Sequence, residues 1–197
     1  MQRPYLIGTH VYLRPLEPAD ASRFASWLND TRVTRTLRYR RPITDADELA
    51  FIEGPGKDNG DVRLGIVLKR GDRLIGSAGL MRVDWQARSA GYGIHIGMPS
   101  EWGKGYGTEV TRMIVAHAFD SMNLNRVWLE VHVTNLSAIH AYEQAGFRHE
   151  GTQRQAVYRE GGYRDMLMMA ILREEWEAAR KPSAPGSAKA RTRRKKA

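Results

Sequence analysis

A chain of 197 residues, 42% of them hydrophobic and including five Trp and eight Tyr, is long enough to bury the core of one domain. It has no cysteine, which excludes disulfides, thiolate metal sites and a cysteine nucleophile, and no run near the ~18 consecutive apolar residues of a membrane-spanning helix. The net charge of +9 is uneven: residues 181–197 hold seven basic side chains and no acid, leaving 24 basic and 22 acidic side chains before them.

Taken in order, the N-terminus Met1-Gln2-Arg3-Pro4-Tyr5 lacks the apolar region of a signal peptide, and a cytoplasmic protein is expected. Residues 9–16 alternate Val11, Leu13 and Pro15 against Tyr12, Arg14 and Leu16, the pattern of a first strand. Pro18 then opens a helix carrying Phe24, Trp27 and Leu28 at helical spacing. The basic stretch 32–41 reads as a solvated loop or a substrate lip. Thr44 caps a helix through Leu49, Phe51 and Ile52 that Gly54-Pro55-Gly56 stops. Residues 62–69 and 74–83 are strands joined by the turn Arg70-Gly71-Asp72-Arg73.

The strand at 88–98 sends Tyr92, Ile94, Ile96 and Met98 to one face and Gly91, Gly93, His95 and Gly97 to the other. Interior glycines of this kind mark a bulge or a close ligand approach. After a glycine loop, residues 109–122 form an apolar helix, 126–133 a strand, and 135–145 a helix stopped by Gly146. Residues 147–158 and 163–172 pair around Glu160-Gly161-Gly162, and 173–181 close the domain as a charged helix with Trp176 inward. The domain is thus expected over 1–180. The tail 181–197, rich in Pro, Ser, Ala and Gly, is expected to be disordered, and is either a contact for RNA or the ribosome or a solubilising extension. The element order predicts an α/β protein whose mixed sheet carries helices on its faces.

Three places carry chemistry. Alternate glycines in Trp102-Gly103-Lys104-Gly105-Tyr106-Gly107-Thr108 free the backbone to turn and a ligand to approach, and the following helix start offers unpaired N–H groups to an anion. Neither the Walker A spacing nor the dinucleotide fingerprint is present, so the expected ligand is a pyrophosphate-bearing cofactor that is neither NAD nor a Mg-bound nucleotide. The bland alternative is an ordinary strand-to-helix loop. On the strand 126–133, Val127, Leu129, Val131 and Val133 share one face and Trp128, Glu130 and His132 the other. A buried unpaired carboxylate costs several kcal/mol, so Glu130 needs a partner or a wet site. Asn135 and Tyr142 lie seven residues apart, within ~20° around one helix. Asn135 suits its N-cap, Ser137 adds a hydroxyl, and Tyr142 is a packing residue or an acid.

These segments resemble the GNAT superfamily of N-acetyltransferases over about residues 8–176, most specifically in 102–109 and 135–147. The openings Leu13-Arg14-Pro15-Leu16 and Phe147-Arg148-His149-Glu150-Gly151 look like the branch that contains ribosomal-protein N-terminal acetyltransferases. The resemblance implies a mostly antiparallel sheet splayed between two strands, acetyl-CoA as cosubstrate, and no metal. It places the pyrophosphate on 102–108, the pantetheine along Ile96, Gly97 and Met98 with Asn135 and Ser137 opposite, and Tyr142 as the acid that protonates the departing thiolate. It makes Glu130 the base, with His95 and His132 as rivals, and puts an oxyanion near the Ile96 and Gly97 N–H groups. Two residues depart from the family pattern: Trp102 replaces the usual Arg or Gln of the loop, and Gly91 stands where many relatives have Glu.

The implied activity is acetyl transfer to a primary amine. A protein N-terminus is the favoured acceptor, a polyamine, aminoglycoside or other small amine the alternative, and an idle acyl-CoA-binding module tethered by its tail the competing class. A homodimer is a further expectation.

Overall fold

The structure, a computed structural model, describes residues 3–37, 41–54 and 60–180. The basic tail, residues 38–40 of the basic stretch and residues 55–56 of the proposed helix stop lie outside them.

The chain runs β1 (Leu6–Ile7), β2 (Val11–Pro15), α1 (Ala21–Leu28), α2 (Thr31–Thr34), α3 (Asp45–Glu53), β3 (Val62–Leu68), β4 (Arg73–Asp84) and β5 (Ser89–Ile96). It continues through α4 (Tyr106–Asp120), β6 (Arg126–His132), α5 (Leu136–Gln144), β7 (Arg148–Arg159), β8 (Gly162–Leu172) and α6 (Arg173–Arg180). Eight strands form one sheet in the order β1-β2-β3-β4-β5-β6-β8-β7, every neighbouring pair antiparallel except β5 and β6. Two elements are additions to the expected order. β1 is a two-residue edge strand, and α2 is a single turn capped by Asp30, too short for either to leave a periodic trace.

Local chemistry sets the boundaries. Thr44 accepts from the Asp47 N–H while Asp47 answers to the Thr44 N–H, the reciprocal cap expected of α3. Glu160 and Gly161 both have positive φ (47° and 76°), the conformation a two-residue hairpin needs between β7 and β8. α4 begins at Tyr106, three residues earlier than its apolar pattern suggests, because Gly105 in the left-handed region (φ 83°) forms its N-cap.

Each face of the sheet is covered. Val11 and Leu13 of β2, Leu80 of β4, Tyr92 of β5 and Val127, Leu129 and Val131 of β6 pack against α4 and α5. On the opposite face Tyr12, Val67 and Leu74 pack against Phe24 of α1 and Ile52 of α3. α6 closes the first layer by setting Trp176 on Phe119, ring centroids 5.4 Å apart. On the second layer Arg14 and Asp20, both buried, form a two-pronged pair (2.7 and 2.8 Å) between β2 and the start of α1.

The parallel pair positions the site. β5 and β6 are in register only at Ser89↔Arg126, Ala90↔Val127 and Gly91↔Trp128. Beyond these residues both strands continue, to Ile96 and His132, without pairing, so the middle of the sheet opens as a wedge.

Candidate active site

Backbone alternation decides which groups face the wedge. Gly97 N–H donates to Ile75 O at 2.8 Å, which fixes the ladder between β4 and β5. In an antiparallel ladder alternate residues turn to alternate neighbours, so His95 bonds across to β4 while Ile94 and Ile96 turn their peptide groups toward β6. Past Gly91 there is no β6 backbone in register to meet them. Strand β5 therefore offers amides to whatever enters the wedge. Of the two N–H groups expected to serve there, that of Gly97 is already engaged, which leaves that of Ile96. Met98 O likewise accepts from Glu101 N–H (3.0 Å).

The glycine loop lies at one mouth. Gly103 and Gly105 have φ of 71° and 83°, conformations that cost any other residue strain. Gly107 is helical, and a Cβ there would meet nothing within 4 Å. Neither turn geometry nor packing requires glycine at that position, which leaves the backbone there open to close approach. The first turn of α4 has no side-chain cap, so its N–H groups remain available to an anion. Lys104 is turned to Glu101 (2.9 Å), which also holds Arg73 (2.5 Å), so one buried carboxylate is shared by two cations. Trp102 donates its indole N–H to Ile96 O at 2.8 Å. The replacement for Arg or Gln thus ties the loop to β5, and the anion cradle is left to backbone.

Sequence reasoning missed the turn between β1 and β2. Glu109, in the first turn of α4, accepts from the N–H of His10 (2.9 Å) and of Val11 (3.4 Å) and meets His10 Nδ1 at 2.9 Å. This places Gly8, Thr9 and His10 beside the glycine loop. The one available signal was Gly8, where a Cβ would lie 2.3 Å from Glu109 Oε1.

A continuous cavity of about 1950 Å³ runs through the wedge. Ile96, Trp102, Gly103, Lys104, Gly105, Gly107, Thr108, Asn135, Ser137, Tyr142, Glu130 and His95 all line it, whereas Gly97, Met98, Tyr106 and His132 do not. Tyr142 reaches the cavity from the α4–α5 layer. Its ring packs edge-on to Tyr92 (6.1 Å) and against Phe147 (6.0 Å), and its hydroxyl has no hydrogen-bond partner among the described residues. Burial pushes the phenol up to about 12, so it is protonated throughout the neutral range. Asn135 caps α5 by accepting from Ala138 N–H (3.3 Å), and Ser137 donates to its Oδ1 (3.2 Å).

The opposite layer supplies the other groups. Glu130 points away from Leu129 and Val131, and its Oε1 accepts from Gln153 Nε2 of β7 at 2.9 Å. His95 sits beside Ser77 of β4, Nδ1 to Oγ 3.2 Å, with its ring against Phe24 (5.6 Å). Burial lowers this imidazole to about 4, and it is neutral at ordinary pH. Glu48 of α3 and Asp61, just before β3, also line the cavity. Glu48 is 6% exposed, and its carboxyl is raised by burial and further by Asp47. Asp61 Oδ1 is buried without a hydrogen-bond partner among the described residues, and Arg63 is 3.8 Å from the other oxygen. Among the described residues no group of three or more His, Asp or Glu side chains could hold a metal.

A molecule matched to this cavity carries amides along an arm and a diphosphate beyond them, as coenzyme A does. The arrangement defines a coenzyme A-dependent transferase. Residues 10–148 match the protein family described as “Acetyltransferase (GNAT) domain”, and the chain belongs to that family. It is 29% identical over 170 residues to the spermidine N(1)-acetyltransferase of Vibrio cholerae, covering 86% of this chain and 97% of that one. It is equally identical, over 178 residues and 87% and 96% of the two chains, to YdaF of Bacillus subtilis, whose name proposes ribosomal N-acetylation. The structure of the Vibrio cholerae spermidine N-acetyltransferase in complex with CoA and spermine superposes with a TM-score of 0.79 at 26% identity, over 85% of this chain and 98% of that one. The protein is an acetyl-CoA-dependent N-acetyltransferase.

Proposed function

We propose that the acceptor is a small amine bearing a second positive charge, a polyamine-like molecule, and not the protein N-terminus favoured by the sequence. The carrying observation is that two carboxylates, Glu48 and Asp61, line the same cavity as the glycine loop. Two carboxyl groups withdrawn from water, one oxygen of them unsatisfied, are matched by a ligand ammonium, which would also reverse the upward shift of Glu48. Relatives that act on spermidine support the same class.

In the proposed mechanism the cradle of residues 102–108 holds the diphosphate, and the Ile94 amide holds the pantetheine arm. Bound acetyl-CoA supplies an activated thioester carbonyl. Glu130 removes one proton from the acceptor ammonium, whose nitrogen then bonds to that carbonyl carbon while the carbon–sulfur bond breaks. The Ile96 N–H stabilises the oxygen, and Tyr142 gives its proton to the departing sulfur from the opposite layer and regains one from the second proton that the nitrogen sheds as the amide forms.

Thiol release from acetyl-CoA, measured with spermidine, a monoamine and a peptide with a free N-terminus, tests the acceptor. The highest kcat/KM is expected for spermidine. A higher value for the peptide returns the acceptor to a protein N-terminus, and no release with any amine removes the activity. Glu130→Gln is expected to slow transfer about 10²-fold or more at neutral pH. The rate should recover as pH approaches the amine's own pKa, where the acceptor arrives already deprotonated. A loss independent of pH would move the role of base to His95 or His132.

A further inference from the structure

The alternation Gly91, Gly93, His95, Gly97 has a structural meaning beyond turn chemistry. All four positions of β5 and its extension face the acceptor layer, and a neighbour's side chain lies over each glycine. An added Cβ would fall 3.1 Å from the Trp128 ring at Gly91, 2.7 Å from Met81 Cε at Gly93 and 2.0 Å from the Trp27 ring at Gly97. Between Gly91 and Gly97 the strand thereby presents one side chain of its own to that layer, His95.

The His95 ring is held on three sides. Ser77, its register partner on β4, meets Nδ1 at 3.2 Å, and Phe24 and Trp27 of α1 stand edge-on at 5.6 and 6.5 Å. The second nitrogen, Nε2, is closed to water and has no hydrogen-bond partner among the described residues, while the residue as a whole lines the cavity. A buried imidazole nitrogen left unmatched in a pre-oriented ring calls for a partner that solvent does not supply. With Nδ1–H donated to Ser77, Nε2 carries a lone pair.

We propose that His95 Nε2, uncovered as the amine enters the cavity the ring lines, is a second contact of the acceptor, accepting one of its N–H bonds and aiming the nitrogen lone pair at the thioester while Glu130 removes the proton. The inference rests on the reading of this protein as an amine acetyltransferase and is independent of which amine it uses. A neutral imidazole suits this role, since it accepts a hydrogen bond from the amine without competing for its proton, and burial keeps it neutral.

The test compares His95→Phe, which keeps a ring between Phe24 and Trp27, with His95→Gln, which restores an acceptor atom near Nε2. Expected for His95→Phe is a fall in kcat/KM for the best amine of the panel by about 10–100-fold, the span set by leaving one buried polar contact unmade. Acetyl-CoA affinity and melting temperature should stay near wild type, and His95→Gln should recover part of the loss. Wild-type kinetics in His95→Phe, or a loss shared equally with acetyl-CoA binding, overturns the proposal while leaving the acetyltransferase reading intact. Should the wild-type protein release thiol with no amine, that reading fails separately. The His95 proposal is then decided by the ¹⁵N resonance of Nε2 in CoA-loaded protein titrated with propylamine: a shift supports it and an unmoved resonance overturns it.

Discussion

Replacing Tyr142 with Phe is expected to lower kcat about 10²–10³-fold and to leave acetyl-CoA affinity almost unchanged. The change removes one oxygen and keeps the ring contacts with Tyr92 and Phe147, so packing is not at stake. That oxygen has no structural duty: no described residue bonds to it, and it opens on the cavity. The buried phenol at about 12 also refines the role expected of it. A free thiol titrates near ~8.5, so such a phenol parts with its proton reluctantly. In the proposed mechanism its first contribution is a hydrogen bond that strengthens as negative charge gathers on sulfur, with proton transfer completing afterwards. Steady-state kinetics together with calorimetric titration of CoA separate the two effects. An unchanged kcat would take Tyr142 out of the mechanism.

The second large effect falls on stability. Asp20→Ala is expected to cost about 3–5 kcal/mol, because it strands the Arg14 guanidinium inside the acceptor layer. Arg14 gives two bonds to Asp20 and a third to Pro15 O (2.9 Å), and Asp20 also accepts from the Glu17 N–H (2.9 Å). Burial alone would raise the Asp20 carboxyl; the Arg14 and Glu17 hydrogen bonds outweigh it and hold the group below its ordinary value. A depressed folded pKa contributes stability above the unfolded value and loses it as pH falls through the folded one. The difference between wild type and Asp20→Ala should therefore narrow in acid. Urea unfolding at neutral pH measures the cost, and a loss below about 1 kcal/mol would show that the pair is dispensable. The double change Arg14→Met with Asp20→Leu should restore most of the loss, since it leaves no buried charge.

Much of this architecture was legible because it is written in local periods. Alternation placed Tyr92, Ile94 and Ile96 on one face of β5 and His95 on the other, and Trp128 and Glu130 opposite Leu129, as the packing shows. The hairpin at Glu160-Gly161 and the cap at Thr44 follow from the same short-range chemistry. What stayed hidden depends on partners far along the chain. Glu101 is shared with Arg73, 28 residues away, and Glu109 holds His10 from 99 residues away. The engagement of Gly97 N–H with Ile75 follows from strand register, which spacing alone does not reveal. A count of 24 basic and 22 acidic residues likewise does not reveal that Glu48 and Asp61 line the same cavity.

The gap between β5 and β6 has one more consequence. Three paired residues join a five-stranded leaf, β1 to β5, to a three-stranded leaf, β6 to β8. Two open edges inside a protein would ordinarily invite another strand. In the proposed mode of binding the invited strand is the substrate: the pantetheine arm, with its two amides, would complete a ladder that the polypeptide leaves unfinished.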